Sequence, residues 1–392
     1  KSMTNHTLHN DAQTPMIRQY LRIKEEHPDT ILMYRLGDFY EMFFEDAVLA
    51  ANLLDITLTT RNKNDPNPIP LCGVPYHSVE PYIAKLLEKG KRVAICEQVE
   101  DPKTAKGVVK REVTRVITPG IVADGLGLDA GSNNFLAAVY INDNQFGFSI
   151  ADISTGIFQA TEVSSEQRIL EELSRVEPRE VVIPEHLGAG HFSNKLKKIL
   201  PETLLTFLSI DRFNEQKISH LEGGTSLISE NIAAAKAAAS VLSYLESTQK
   251  GNISHIQKIT GYAGRSVMHL DEATKRNLEL IKTLRDGNKS GSLLDAIDRT
   301  ETAVGARKLK HWLLFPLTNP DEIDSRLHVV STFIGEPKYL REIPAILERI
   351  HDLERITSRT AMGSANARDL IGLKLSLDAV SDLKNNLSET SG

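Results

Sequence analysis

A cluster of one proline and four glycines divides the sequence and limits the folds open to it. These residue types interrupt both helices and strands, so a run of them between patterned segments indicates a linker. The chain has 392 residues, enough for about two to four domains, and we therefore predict a linker at residues 119–132. The cluster consists of Pro119, Gly120, Gly125, Gly127 and Gly131.

The segment before this linker mixes helical and strand-like patterns, which predicts a mixed α/β domain at residues 14–118. The predicted strands are residues 31–36, 55–60 and 93–95, and the predicted helices contain Tyr20, follow Asp38 and cover residues 79–89. Residues 1–13 match no pattern. We interpret them as a disordered or tag-like start.

The segment after the linker changes from strands to helices. Three strand-like runs are followed by a helix, a strand and a second helix, an order that resembles the ribonuclease-H-like fold and predicts an α/β domain at residues 133–228. From residue 229 to 392 the patterns are almost all helical, beginning with an alanine-rich run that stops at Gly251. The predicted fold class is therefore multidomain α+β.

The composition is that of an ordinary globular protein and argues against several function classes. Hydrophobic residues make up 41% of the chain, yet no apolar run approaches the about 20 residues that cross a bilayer, so we expect a cytoplasmic protein. The formal net charge of −6 argues against binding nucleic acid through a large basic surface. Cys72 and Cys96 are too few for a zinc cluster or a disulfide framework.

The segment Gly37–Phe43 places an aromatic residue and a carboxylate two positions apart, where a strand-like run meets a helical one. Two structural interpretations of it are open. Asp38 and Glu41 have the spacing of a capping box at the start of a helix. Phe39 falls near the helical face that carries Phe43, which indicates a core residue.

The same segment, with Thr59–Arg61 and Gly73–His77, resembles the mismatch-binding domain of the bacterial MutS DNA-repair family. The resemblance covers nearly all of the chain from Thr14 onward, with its motifs in matching order. It implies that residues 133–228 are the connector domain of that family. It also implies that residues 229–392 are a truncated all-α core or lever domain.

The resemblance further implies that the chain recognises mispaired or looped bases in double-stranded DNA. Phe39 and Glu41 are the residues expected to touch the mismatch, and Arg61 is expected to contact the DNA backbone or a groove. A mispaired base stacks poorly and bends at a lower free-energy cost than a matched pair, so an inserted ring would detect deformability.

For the full-length protein, the resemblance implies a homodimer that recruits a MutL-type partner through the connector domain. An ATPase domain that uses ATP and magnesium is expected beyond this chain, which contains no Gly-x4-Gly-Lys-Ser/Thr sequence. The chain itself is therefore expected to hydrolyse no ATP and to hold no cofactor or metal. Alone, it is expected to be a monomer with no membrane partner.

Two other functions remain open. A ribonuclease-H-like nuclease would hold two magnesium ions with clustered carboxylates, and Asp152 lies on a predicted strand. Asp152 shares strand parity with Phe148 and Ile150, and no companion carboxylate has a convincing position, so we expect no cleavage. The third function is a non-specific architectural DNA binder, which would bind matched and mismatched duplex equally at fixed salt.

Overall fold

The computed structural model describes most of the chain, which divides into two compact units. The first unit is Lys1–Pro119 with Leu245–Asn252, and the second is Gly120–Tyr244 with Ile253–Gly392. The start at residues 1–13 and part of the predicted linker lie outside the described residues. Those described are residues 14–61, 67–101, 107–122, 127–188, 190–250, 253–262 and 267–388.

The first unit is a six-stranded mixed sheet with helices on both faces. The strand order is β3-β4-β2-β1-β5-β6, and every neighbouring pair is antiparallel except β1 and β5. The strands are β1 (Thr30–Leu36), β2 (Phe39–Phe43), β3 (Thr59–Arg61), β4 (Ile69–Pro75), β5 (Arg92–Gln98) and β6 (Arg111–Ile117). The helices are α1 (Pro15–Glu26), α2 (Phe44–Leu54) and α3 (Glu80–Glu88). The predicted mixed α/β character of this region is confirmed.

Helix α1 covers part of one face of this sheet. Thr14 caps its N-terminus by accepting a hydrogen bond from the amide of Ile17, and Pro15 occupies the first turn. Tyr20 is buried beneath it, with its ring at 5.0 Å from the ring of Phe43 and 5.6 Å from that of Tyr34. These edge-on contacts fix which stretch of the sheet is covered and which is left open.

The segment Gly37–Phe43 is not the start of a helix, so the capping-box interpretation is wrong. Gly37 lies in the turn of a β-hairpin with φ of 58°, and Phe39 begins the second strand. Helix α2 begins only at Phe44, after a strand residue that provides no side-chain cap. This segment is a strand because it pairs with β1 on one side and with β4 on the other. The spacing of residues within the segment does not indicate this pairing.

Three further differences concern the strands. The strand predicted at residues 55–60 begins only at Thr59, because Asp55 adopts a left-handed conformation (φ 57°) that ends α2. Strands β4 and β6 were not predicted. The first follows a Pro/Asn-rich segment and contains two prolines itself, Pro70 and Pro75, which mask a strand pattern.

The second unit contains another six-stranded sheet, in the order β11-β10-β7-β8-β9-β12. An antiparallel meander, β7 to β9, is followed by β10 parallel to β7 and β11 parallel to β10, as the predicted α/β domain requires. The strands are β7 (Leu136–Asn142), β8 (Gln145–Asp152), β9 (Ile157–Val163), β10 (Glu180–Pro184), β11 (Leu204–Leu208) and β12 (Thr260–Gly261). The helices are α4 (Glu166–Val176), α5 (His191–Ile199), α6 (Gly224–Glu230) and α7 (Ile232–Gln249), whose residues from Leu245 onward belong to the first unit.

Helix α7, which the sequence pattern grouped with the helical region, crosses the second sheet at Gly147. A Cβ atom at this position would lie 1.9 Å from the backbone oxygen of Ala233, so the helix and β8 touch backbone to backbone. The hydroxyl of Tyr244 also donates a hydrogen bond to Glu180 on β10 at 2.7 Å.

The rest of the second unit is helical, as predicted. Its helices are α8 (Glu272–Asn277), α9 (Leu293–Ile297), α10 (Ala303–Leu314), α11 (Pro320–Gly335), α12 (Pro337–Leu347), α13 (Leu353–Ala361) and α14 (Ala367–Ser388). Side-chain caps begin several of them, such as Thr302, which accepts from the amide of Gly305. Within the described ranges, every helix is too short or too polar to span a lipid bilayer.

Candidate nucleic-acid interface

The strand β2 presents its alternate residues to opposite faces of the first sheet. Tyr40 and Met42 are 5% and 0% exposed and belong to the core, whereas Phe39 is 47% exposed. Phe39 therefore shares a face with Glu41 and Phe43. An aromatic ring this exposed, at the end of a strand whose other face is buried, is available for contact with a partner.

The exposure of Phe39 follows from its place in the sheet. It pairs with Leu36 of β1 on one side and with Pro75 of β4 on the other, at the end where the hairpin turns. The core beneath α1 includes Tyr34 and Phe43 on the same face, but Phe39 is outside that cluster. The ring therefore lies on the sheet outside the region that α1 covers.

Glu41 lies between the open end of this face and the core. It pairs with Gly73 of β4, whose missing side chain leaves space above the sheet for the glutamate. One carboxylate oxygen, Oε2, is buried and has no hydrogen-bond partner among the described residues. Burial raises the pKa of the Glu41 carboxyl above its ordinary value, and the nearby charge of Arg61 offsets this only in part.

Arg61 lies on the same face, two strands away from Glu41. Its Nη1 atom is 3.9 Å from Oε2 of Glu41, an ion-pair distance that is too long for a hydrogen bond. About a third of the arginine side chain, 34%, remains exposed. The structure therefore places all three residues singled out in the sequence on one face of the sheet, with Glu41 and Arg61 at ion-pair distance, although their contact with DNA stays a prediction.

A group of side chains behind Phe39 was missed in the sequence. The guanidinium of Arg35 lies over the ring of Tyr76, with its Cζ atom 3.4 Å from the ring centroid. Its Nη1 atom is 3.9 Å from Glu97, which also accepts a hydrogen bond from the hydroxyl of Tyr40. Arg35 and Tyr40 belong to one hairpin, whereas Tyr76 and Glu97 are distant from it in sequence, so no local spacing signals the group.

Asp152, the residue that favoured a nuclease, is fully buried and is used as an internal hydrogen-bond acceptor. It accepts from the side chain of Asn133, from the amide of Asn134, and from both the amide and the hydroxyl of Ser154. Across the described ranges, no three His, Cys, Asp or Glu side chains are grouped closely enough to hold a metal ion.

Three family models match successive parts of the chain. MutS domain I matches residues 14–125, MutS domain II matches residues 134–257, and MutS domain III matches residues 273–392. The chain belongs to the MutS family. The resemblance to its N-terminal portion is confirmed. The α7 segment lies within the match to MutS domain II.

Curated MutS proteins align with nearly the whole chain. A DNA mismatch repair protein MutS from Desulforamulus reducens is 46% identical over 382 residues, which cover 94% of this chain and 43% of the relative. Proteins of the same name from Desulfatibacillum aliphaticivorans and Ruminiclostridium cellulolyticum are each 43% identical, covering 93% and 96% of this chain and 42% and 44% of their own lengths. The chain thus spans less than half the length of these MutS relatives.

Proposed function

We propose that this chain recognises mispaired or looped bases in double-stranded DNA, as the mismatch-reading part of a longer repair protein. Phe39 acts as a wedge that enters the base stack at the mispair while the DNA bends. The observation that carries this proposal is the 47% exposure of Phe39 on an otherwise well-packed strand.

The energetics of the duplex make such a wedge selective. A mispaired base is already poorly stacked, so unstacking it and bending the helix there cost less free energy than at a matched pair. Stacking of a base on an aromatic ring contributes about 1–3 kcal/mol and does not depend strongly on which base it is. The Phe39 ring therefore suits recognition of many different mispairs.

Glu41 has the opposite effect, because it penalises contact with intact duplex. A carboxylate that approaches phosphates is repelled and loses hydration unless a donor group meets it. A displaced base has free donor groups on its pairing edge, whereas in a matched pair those groups are already bonded to the partner base. We therefore assign Glu41 the role of a discriminator against matched DNA.

Arg61 supplies an attractive contact beside Glu41. Its planar guanidinium suits a phosphate or a narrow groove, and its side chain is partly exposed on the same face as Phe39. Such a contact positions the protein on the duplex without reading the sequence.

The remaining parts of the proposal concern the full-length protein in the cytoplasm, where it would act on chromosomal DNA. We propose that it is a homodimer, that it recruits a MutL-type partner through the connector domain, and that it couples recognition to ATP. This chain has no phosphate-loop sequence that would hold ATP, so ATP and magnesium are assigned to the region beyond it.

A nuclease is the second candidate, and the geometry of Asp152 opposes it. Its carboxylate oxygens already accept four hydrogen bonds, so using it as a metal ligand would leave those buried donors without a partner. A magnesium-dependent cleavage assay on this chain decides between the two functions, and we expect no cleavage. Non-specific architectural binding is tested by the affinities described next.

The proposal is tested by measuring the affinity of the full-length protein for a G·T duplex and for its matched control at fixed salt. We expect Phe39→Ala to reduce the preference for the G·T duplex by about tenfold or more, because the stacking contribution is lost. Binding driven by phosphates should remain. Phe207→Ala is the matched control, since Phe207 is a 41% exposed aromatic residue in the second unit. Discrimination preserved in Phe39→Ala would overturn the proposed function.

A further inference from the structure

The hairpin that presents Phe39 has a charged side chain packed against its turn. Arg35 is near the end of β1, and its Nε atom donates a hydrogen bond to the backbone oxygen of Gly37 at 2.6 Å. Only 17% of the Arg35 side chain is exposed, a low value for an arginine at a sheet end. This hydrogen bond holds the guanidinium against the turn that precedes Phe39.

The same guanidinium connects the turn to the neighbouring strand. Its Cζ atom lies 3.4 Å from the centroid of the Tyr76 ring, which follows the end of β4. The amide of Tyr76 in turn donates to the backbone oxygen of Asp38 in the turn, at 3.0 Å. Cation–π stacking and a backbone hydrogen bond therefore fasten the same turn from two directions.

A third connection reaches β5. The Nη1 atom of Arg35 is 3.9 Å from Oε2 of Glu97, and the other oxygen of Glu97 accepts from the hydroxyl of Tyr40. Tyr40 adjoins Phe39 in the chain and is buried on the opposite face of the sheet. Arg35 is thus linked to the residues on both sides of the wedge.

We propose that Arg35 is a positioning residue that restricts the motion of the hairpin turn next to Phe39, an inference that rests on the proposed function. An inserted ring can unstack a base only if the strand and turn that carry the ring deform less easily than the DNA does. Gly37, at φ of 58°, gives the turn a flexible backbone with no atom within 4 Å of its missing side chain. Arg35 removes that freedom by joining the turn to β4 and β5.

The contacts of Arg35 distinguish this role from direct phosphate binding. One face of its guanidinium is covered by Tyr76, and its nitrogens face Gly37 and Glu97. A phosphate-binding arginine would lower the slope of log affinity against log salt by about one when removed. A positioning arginine should leave that slope unchanged.

The test compares Arg35→Gln with Arg22→Gln in the full-length protein. Both variants remove one positive charge, and Arg22 is an exposed residue on α1. We expect Arg35→Gln to reduce the preference for a G·T duplex over matched duplex by about 5- to 10-fold, the size of a lost cation–π contact, while Arg22→Gln leaves it unchanged. A preserved preference in Arg35→Gln, or a reduced salt slope, would overturn the inference.

A double-variant comparison separates positioning from a general loss of structure. If Arg35 acts through the wedge, then Arg35→Gln should have no further effect on the preference once Phe39→Ala is present. A loss of affinity for both duplexes in the Phe39→Ala background would show that Arg35 acts elsewhere and would overturn the inference.

Tyr76 provides a second pair of variants that keeps the inference testable if Arg35→Gln folds poorly. Tyr76→Phe retains the ring under the guanidinium and should keep the preference, whereas Tyr76→Leu should lose about as much of it as Arg35→Gln. Relative to the wild-type protein, hydrogen exchange at the backbone amide of residue 76 should be faster in Tyr76→Leu and unchanged in Tyr76→Phe. Equal exchange and equal preference in the two variants would contradict the inference.

The failure of this inference is distinguishable from failure of the proposed function. Equal affinity of the wild-type protein for G·T and matched duplex, or no effect of Phe39→Ala, would reject the wedge itself and Arg35 with it. A wild-type preference that Phe39→Ala abolishes and Arg35→Gln leaves intact would reject only the positioning role.

Discussion

At the scale of single residues, the surroundings of Glu41 stabilise its negative charge poorly. One of its oxygens is buried without a hydrogen-bond donor among the described residues, and Arg61 approaches only to 3.9 Å. Burial therefore raises the pKa of the Glu41 carboxyl. A carboxylate in this state repels phosphates but accepts a proton more readily than an exposed glutamate does.

We expect Glu41→Gln to increase the affinity of the full-length protein for matched duplex by about 3- to 10-fold, because a repulsive charge near phosphates is removed. Glutamine keeps the size of the side chain, so packing against Gly73 is preserved. Affinity for matched and G·T duplexes, measured by fluorescence anisotropy at one salt concentration, checks this. An unchanged matched-duplex affinity would remove the discriminator role.

The pH dependence of binding provides an independent test at the same residue. The pKa of the Glu41 carboxyl is raised, so on acidification this group gains its proton at a higher pH than an ordinary glutamate. Protonation removes the repulsion, and matched-duplex affinity should rise as the pH falls through that raised pKa. Glu41→Gln should lack this component, so the wild-type protein should show the steeper pH dependence. Parallel pH profiles would count against a titrating Glu41.

At the scale of elements, sequence patterns predicted the helices better than the strands. Helix α3 begins and ends within one residue of its predicted bounds, because apolar spacing is a local signal. Strand β2 was mistaken for a helix start because Asp38 and Glu41 have capping-box spacing. Its actual conformation depends on pairing with β1, the preceding strand of the hairpin, and with β4, which lies about 30 residues further along the sequence.

In the candidate site too, the sequence indicated what depends on neighbouring residues and missed what depends on contacts between distant segments. Phe39, Glu41 and Arg61 were found because they lie in segments that resemble a known family. Their common face could not be derived from spacing alone, since it depends on the register of β2, β4 and β3. Arg35 was missed for a related reason, because its role appears only when Tyr76 and Glu97 surround it.

The contact between α7 and β8 makes a prediction about element packing. Gly147→Ala should destabilise this chain by about 1–3 kcal/mol, because the added Cβ would overlap the backbone oxygen of Ala233 and neither backbone can move freely. Urea denaturation followed by circular dichroism measures the effect. Gly261→Ala is the control, since no atom lies within 4 Å of the Cβ position on that strand of the same sheet. Equal midpoints for the two variants would contradict the close approach.

At the scale of the whole molecule, the described part of the predicted linker from Gly120 onward belongs to the second unit and is anchored within it. The amide of Gly120 donates to the buried carboxylate of Glu180 at 3.2 Å. Further along, Arg307 donates to the backbone oxygen of Ala130, and Arg355 donates to those of Asp129 and Ser132. The glycines and the proline gave no sign of these anchors, because the anchoring side chains are far away in sequence.

The two arginines are themselves fixed by acidic partners. Arg307 is 4% exposed at its side chain and forms ion pairs with Asp352 at 2.6 Å and with Glu354 at 2.7 Å. Burial alone would raise the pKa of the Asp352 carboxyl, but hydrogen bonds and charge from Arg307 outweigh it and lower that pKa. Removing the arginine would leave a partly buried carboxylate without its main partner.

We expect Arg307→Ala to weaken the second unit by about 3–5 kcal/mol and to release residues 127–132, because a buried ion pair is broken and a backbone anchor is lost. Partial digestion with a broad-specificity protease, followed by mass spectrometry, should show cleavage between Gly127 and Ser132 that the wild-type chain resists. Arg355→Gln, which removes the other anchor, should expose the same segment. Arg285→Gln is the matched control, because the Arg285 side chain is 91% exposed. Resistance of residues 127–132 in both anchor variants would mean that other contacts hold this segment and that the arginines only balance the charge of Asp352 and Glu354.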